Sequence, residues 1–77
     1  MLRGKTDAET CRLNGWTVGT VLVGDEGYGP EKIQITAIGE KEILAKRIEN
    51  RHGVVVDGHE GIWVLWCRDW KVCRYER

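Results

Sequence analysis

Serine and phenylalanine are absent from this chain, proline and methionine occur once each, and neither sign of charge is in excess. Each shortage narrows the reading. Without serine there is no serine nucleophile, which excludes acyl transfer through a Ser-His-Asp arrangement. Twelve Lys plus Arg balance twelve Asp plus Glu, so the chain lacks the bulk charge with which a protein coats nucleic acid or an anionic membrane. The longest apolar runs, Val21 to Val23 and Ile62 to Cys67, fall well short of the roughly 18 residues that cross a bilayer. No membrane segment is expected, and Met1 to Lys5 leads into no apolar signal-peptide region.

Cysteine is also scarce. Cys11, Cys67 and Cys73 are an odd number and cannot all pair within one chain, which points to a reducing compartment. Zinc sites want close ligand pairs, whereas Cys67 and Cys73 stand six apart and His52 and His59 seven apart. The thiols therefore read as small core hydrophobes, and no metal or cofactor is expected. A length of 77 residues leaves room for one core only. So small a domain buries about 60% of the surface its unfolded chain exposes, and it needs an economical architecture.

Two regions differ in pattern. In residues 1–15, Thr6-Asp7-Ala8-Glu9 has the capping-box spacing and Asn14-Gly15 offers a left-handed stop, predicting one or two helical turns from Asp7 to Leu13. A helix that short must dock or fray, and its polar composition favours fraying. From Trp16 onward strands dominate. Thr17 to Val23 is rich in β-branched residues, and the glycine-rich stretch from Gly24 to Pro30 reads as a long loop. Lys32 to Ile38 alternates with period two, setting Ile33, Ile35 and Ala37 on one face, and Gly39-Glu40-Lys41-Glu42 turns it into a hairpin with Ile43 to Ile48. Val54 to Val56, Ile62 to Trp66 and Trp70 to Tyr75 complete the strand-like segments. Closure into a barrel removes edges that a small open sheet would have to protect. The expected fold is all-β, a small antiparallel SH3-like barrel of about five strands over residues 16–77, with an OB-like barrel as the alternative.

Candidate chemistry is thin. Gly24, Gly27 and Gly29 do not keep a dinucleotide or P-loop spacing, and Asp25 and Glu26 sit where phosphate would need open amides. Asp57, His59 and Glu60 could be drawn as a base with helpers, but a narrow barrel offers little concave volume. Tryptophan is the informative excess: four Trp and two Tyr give every aromatic a polar handle, suited to binding surfaces as well as cores. Alternation puts Trp63 and Leu65 on one face and Val64 and Trp66 on the other; the face that shares the large aliphatic Leu65 is expected inward, so Trp63 should pack in the core and Trp66 lie toward the surface. Acids gather in residues 25–42 and bases in 67–77, with Lys46, Arg47 and Arg51 adding to the basic side. The candidate binding residues are accordingly Trp66, Trp70, Arg68, Lys71 and Tyr28.

Residues Ile33 to Glu40, then Ile43-Leu44-Ala45-Lys46, and then Trp63-Val64-Leu65 with Cys67-Arg68-Asp69-Trp70 resemble a pattern of small proteins encoded by bacteriophages and prophages. The likeness spans about residues 16 to 72 and carries no catalytic residues. It implies a phage accessory protein acting by binding in the bacterial host cytoplasm, with inhibition of a host defence system as one role. The expected partner is a protein, for a monomer or homodimer that is not an enzyme. A single-stranded nucleic-acid-binding barrel is the alternative, expected to bind weakly, and a small hydrolase or metal protein ranks last.

Overall fold

The computed structural model describes residues 6–25, 29–65 and 70–72. Helix α1 spans Asp7–Asn14 and begins as the sequence predicts: Glu9 donates its amide to Thr6 Oγ1 at 3.1 Å, and Glu9 Oε1 accepts from the Thr6 amide at 2.9 Å. Gly15, at φ 75°, closes it in the left-handed region. Fraying is not what happens next. The Ala8 amide donates to the Lys41 carbonyl at 3.1 Å, Arg12 Nη1 and Nη2 donate to the Gly39 and Glu40 carbonyls at 3.3 and 3.2 Å, and Asp7 Oδ1 accepts from the Leu65 amide at 3.0 Å. Asp7, Ala8 and Cys11 are buried. A helix too short to stand alone is thus held by one hairpin turn and one strand end, contacts that composition does not reveal.

Five antiparallel strands follow: β1 (Val21–Asp25), β2 (Pro30–Ile38), β3 (Ile43–Glu49), β4 (Gly61–Trp63) and β5 (Lys71–Val72). Their order in the sheet is β4-β3-β2-β1-β5, a four-strand meander from β1 to β4 with β5 returning to the far side of β1. That is the strand order of an SH3-like arrangement, a small all-β fold as expected. The two ends of the sheet come together through side chains. The Trp63 ring, on β4, meets the Trp70 ring, just before β5, edge to face with centroids 6.2 Å apart.

Boundaries move where turn chemistry outweighs β-propensity. Thr17 to Thr20 forms a turn, with the Thr20 amide donating to the Thr17 carbonyl at 3.0 Å and Thr20 Oγ1 accepting from the Thr17 amide at 2.9 Å. Consequently β1 starts at Val21 and runs on through Gly24 and Asp25, residues that read as loop. A register shift at Thr36 in β2 flips the alternation, so Ile38 and not Ala37 packs against the core. Val54 to Val56 contributes a single bridge, Glu49 to Val55.

Leu22, Ile33, Ile35, Ile43 and Ala45 fill the interior, closed by Ala8, Cys11, Leu65 and Trp70. Gly24 shapes one wall. A Cβ there would stand 2.4 Å from Trp70 Cε3, so only a residue without a side chain lets the indole lie against β1.

Candidate functional site

The outer face of the sheet is built by cross-strand register. Ala37, Leu44 and Ile62 stand side by side across β2, β3 and β4, because Ala37 pairs with Leu44 and Leu44 with Ile62. Farther along come Lys46, Gln34 and Val21, and then Glu49, Lys32, Val23 and Lys71. One end of the face is therefore apolar and the other charged, with Lys32 Nζ 3.2 Å from Glu49 Oε1. A groove of about 490 Å³ opens at the apolar end, between the turn at residues 39–42 and the side chains of Ala37, Leu44 and Ile62. Ile62 is 60% exposed and Val64 51%. The turn beside the groove is held from below by Arg12 on α1, which ties the groove's rim to the helix.

On the inner face, the alternation that buries Ile33 and Ile35 also turns Glu31 inward, and the one that buries Ile43 and Ala45 turns Arg47 inward. Arg47 Nε donates to Glu31 Oε1 at 3.0 Å, and the guanidinium lies 5.9 Å from the Trp63 ring centroid. Glu31 is 8% exposed, so this carboxylate depends on Arg47 for its charge compensation. Gly58 fits closely against the Arg47 backbone: its amide donates to the Arg47 carbonyl at 3.0 Å, and a Cβ would lie 2.7 Å from that oxygen. Charge composition alone assigned Glu31 and Arg47 to solvated acidic and basic surfaces. Extending the period-two pattern by one step in each strand is the signal that finds them.

A family model described as a domain of unknown function, DUF7241, matches residues 5–75. The chain belongs to that family. No curated protein and no solved structure matches it.

In this DUF7241 member two of the five sequence-derived binding residues, Trp70 and Lys71, lie among the described residues. Trp70 is 7% exposed and belongs to the core, so it is corrected from a surface ring to an interior one; Gly24 is what makes room for it. Lys71 is exposed on β5 beside Val23. Trp66, Arg68 and Tyr28 lie outside the described residues, as do Cys67 and Cys73. Of the facing pair, Leu65 is buried and Trp63 is half-buried against the core, the inward side expected of them. Cys11 is fully buried, and burial first, then the Asp7 charge, pushes its thiol above the ordinary 9.0 against the opposing pull of Arg12. That keeps it a packed hydrophobe at neutral pH. His52 and His59 are exposed, and among the described residues no three metal-ligating side chains cluster. The Ala37, Leu44 and Ile62 strip is the surface that sequence reading missed. It follows from the hairpin register and the bulge at Thr36, neither of which a single strand's pattern discloses.

Proposed function

We propose that this DUF7241 domain is a non-enzymatic binding module that engages a protein through the outer strip of Ala37, Leu44 and Ile62. The observation that carries the reading is the strip itself: apolar side chains in register across three strands, ending in an isoleucine left 60% exposed beside a groove. Burying such a side chain at an interface contributes about 1.5–3 kcal/mol before the costs of association. Two or three of them supply an anchor. The resemblance of residues 33–46 and 63–70 to phage-encoded proteins supports an accessory role in a bacterial host, with a host or phage protein as partner and a defence complex as one such target. Nucleic-acid binding is the weaker alternative, because Trp70, one of its stacking rings, is occupied in packing the core.

The test is capture of a bacterial partner by tagged protein, compared with Ile62→Lys and, as a control, Val55→Lys on a different exposed segment. A partner retained by Val55→Lys and lost by Ile62→Lys supports the strip. Equal capture by all three proteins refutes it.

A further inference from the structure

Strand β4 is the end of the sheet order, and among the described residues it pairs with β3 alone. Edge strands are ordinarily blunted by lysine, proline, a bulge or a covering element, because their free amides and carbonyls recruit other strands. Here the run from Gly61 to Leu65 contains no charge and no proline. Its outward residues, Ile62 and Val64, are both exposed, and the groove opens directly behind Ile62. Glu40 and Glu42 on the turn, Asp57, and Glu60 just before β4 stand against Lys41, Lys46 and Arg12, and the guanidinium of Arg12 is held on the Gly39 and Glu40 carbonyls. Lys46 is already spent in part on Asp57, at 3.7 Å.

We propose that the β4 edge is a strand-addition site for an extended segment of a partner protein, apolar beside Ile62 and flanked by Lys or Arg at the positions two residues either side. This rests on the protein-binding reading and adds its mode and the partner's chemistry. Main-chain pairing with Gly61 to Trp63 supplies direction, and the outward side chain of the added strand supplies specificity, since alternate residues of a strand share a face. On β4 the position two before Ile62 is Glu60, and the position two after it, Val64, lies next to Glu42 by continuation of the Ile43 to Trp63 register. Glu42 lies on the β3 side of Val64, so the carboxylate that faces the added strand is Glu60, and cations on both sides of the central apolar residue set one of them opposite it in either strand direction. A second copy of this chain, pairing antiparallel about Ile62, would set Val64 opposite Glu60 and leave that carboxylate facing no cation.

The experiment uses two capped peptides, TKTITKT and TETITET, titrated into isotopically labelled full-length protein while amide shifts and hydrogen exchange are followed by NMR. Expected are shifts and slowed exchange at residues 61–64 with TKTITKT, an affinity about tenfold above that of TETITET, and a loss of about tenfold in Ile62→Lys. The lysine peptide's advantage should shrink as salt is raised. Equal affinity for the two peptides, shifts confined to another surface, or no binding overturns the proposal. So does concentration-dependent protection of residues 61–64 without peptide, which would make the occupant a second copy. Capture of a partner that depends on Ile62, with the 61–64 amides unmoved by either peptide, would sink strand addition and leave the binding module standing; capture indifferent to Ile62 would sink both.

Discussion

Replacing Gly24 by alanine tests the central packing claim, that the Trp70 indole lies directly on β1. The new Cβ would stand 2.4, 2.6 and 2.8 Å from Trp70 Cε3, Cδ2 and Cζ3, all inside van der Waals contact. Restoring ordinary carbon separation requires a movement of about 1 Å. Neither partner yields easily. The ring is rigid and touches Trp63 on another side, while Gly24 sits in a strand paired with both β2 and β5. Gly24 does not have a positive φ, so alanine meets no backbone strain and the penalty is steric. Overpacking of this kind costs about 3 kcal/mol, and the lower entropy of an unfolded chain with alanine returns up to about 1. The net loss of about 2 kcal/mol lowers the melting temperature by about 8–16 °C in a domain of this size. Chemical and thermal denaturation of Gly24→Ala, Trp70→Leu and the double variant give the coupling. Because a leucine vacates the space the methyl needs, the double variant should be more stable than the sum of the singles by at least about 1 kcal/mol. A Gly24→Ala protein within about 0.5 kcal/mol of the parent, or additive energies, would refute the packing.

Arg47→Met should destabilise by about 2–3 kcal/mol by stranding Glu31, and Glu31→Leu in that background should recover most of the loss; urea midpoints decide, and a neutral single variant contradicts the dependence of Glu31 on Arg47. Trp63→Ala removes a ring that packs on the core, on Trp70 and under Arg47, and should cost about 3 kcal/mol in the same assay, whereas Ile62→Thr should stay within about 0.5 kcal/mol. The Cys11 thiol titrates above 9.0 when folded and near 9.0 when unfolded, so above that pH the unfolded chain releases a proton that the folded chain keeps. Stability conferred by Cys11 is therefore whole below 9.0 and lost as pH rises past it. The free-energy gap between parent and Cys11→Ala should narrow from about pH 8 to about pH 10, and a constant gap would mean the thiol is not desolvated. Asp7→Ala should speed exchange of the Leu65 amide, while Asp7→Asn, which keeps an acceptor oxygen, should change it less.

Local pattern reached some of this architecture and not the rest. The capping box at Thr6 and Glu9, the stop at Gly15 and the β2–β3 hairpin are encoded within a few residues of themselves, and they appear where the sequence places them. What it did not disclose depends on distant partners. Docking of α1 requires Leu65 and Lys41, residues more than thirty positions away. The burial of Trp70 requires a glycine on β1. Ala37 lost its inward place to Ile38 because Thr36 is an extra residue in β2, and nothing in the period-two pattern of Ile33 and Ile35 signals that slip. The candidate site suffers most from this limit, for a surface strip assembled from three strands has no linear signature. Aromatic and basic residues, by contrast, are conspicuous in a sequence whether they end up on the surface or, like Trp70, packed into the interior.

The distribution of polarity in the finished fold is inverted at one point, and the inversion bears on function. An ion pair, Glu31 with Arg47, occupies inward positions where aliphatic residues would pack at no electrostatic cost, while Ile62 and Val64 occupy outward positions where threonine or lysine would serve the strand as well. The buried Glu31 charge can be explained within the molecule: the half-exposed Arg47 spans from the Glu31 carboxylate to the Trp63 ring and joins β2, β3 and β4. Among the described residues nothing gives the outward pair such an account. An isoleucine 60% exposed leaves most of its transfer free energy unrealised, and its place on an uncharged edge adds a hazard of unwanted pairing. Exposed apolar residues scattered singly need no explanation. These two are not scattered: Ile62 continues the row of Leu44 and Ala37 to the rim of a groove and stops at the one side of β4 without a described partner strand. The free energy left unrealised there becomes available only when something covers it.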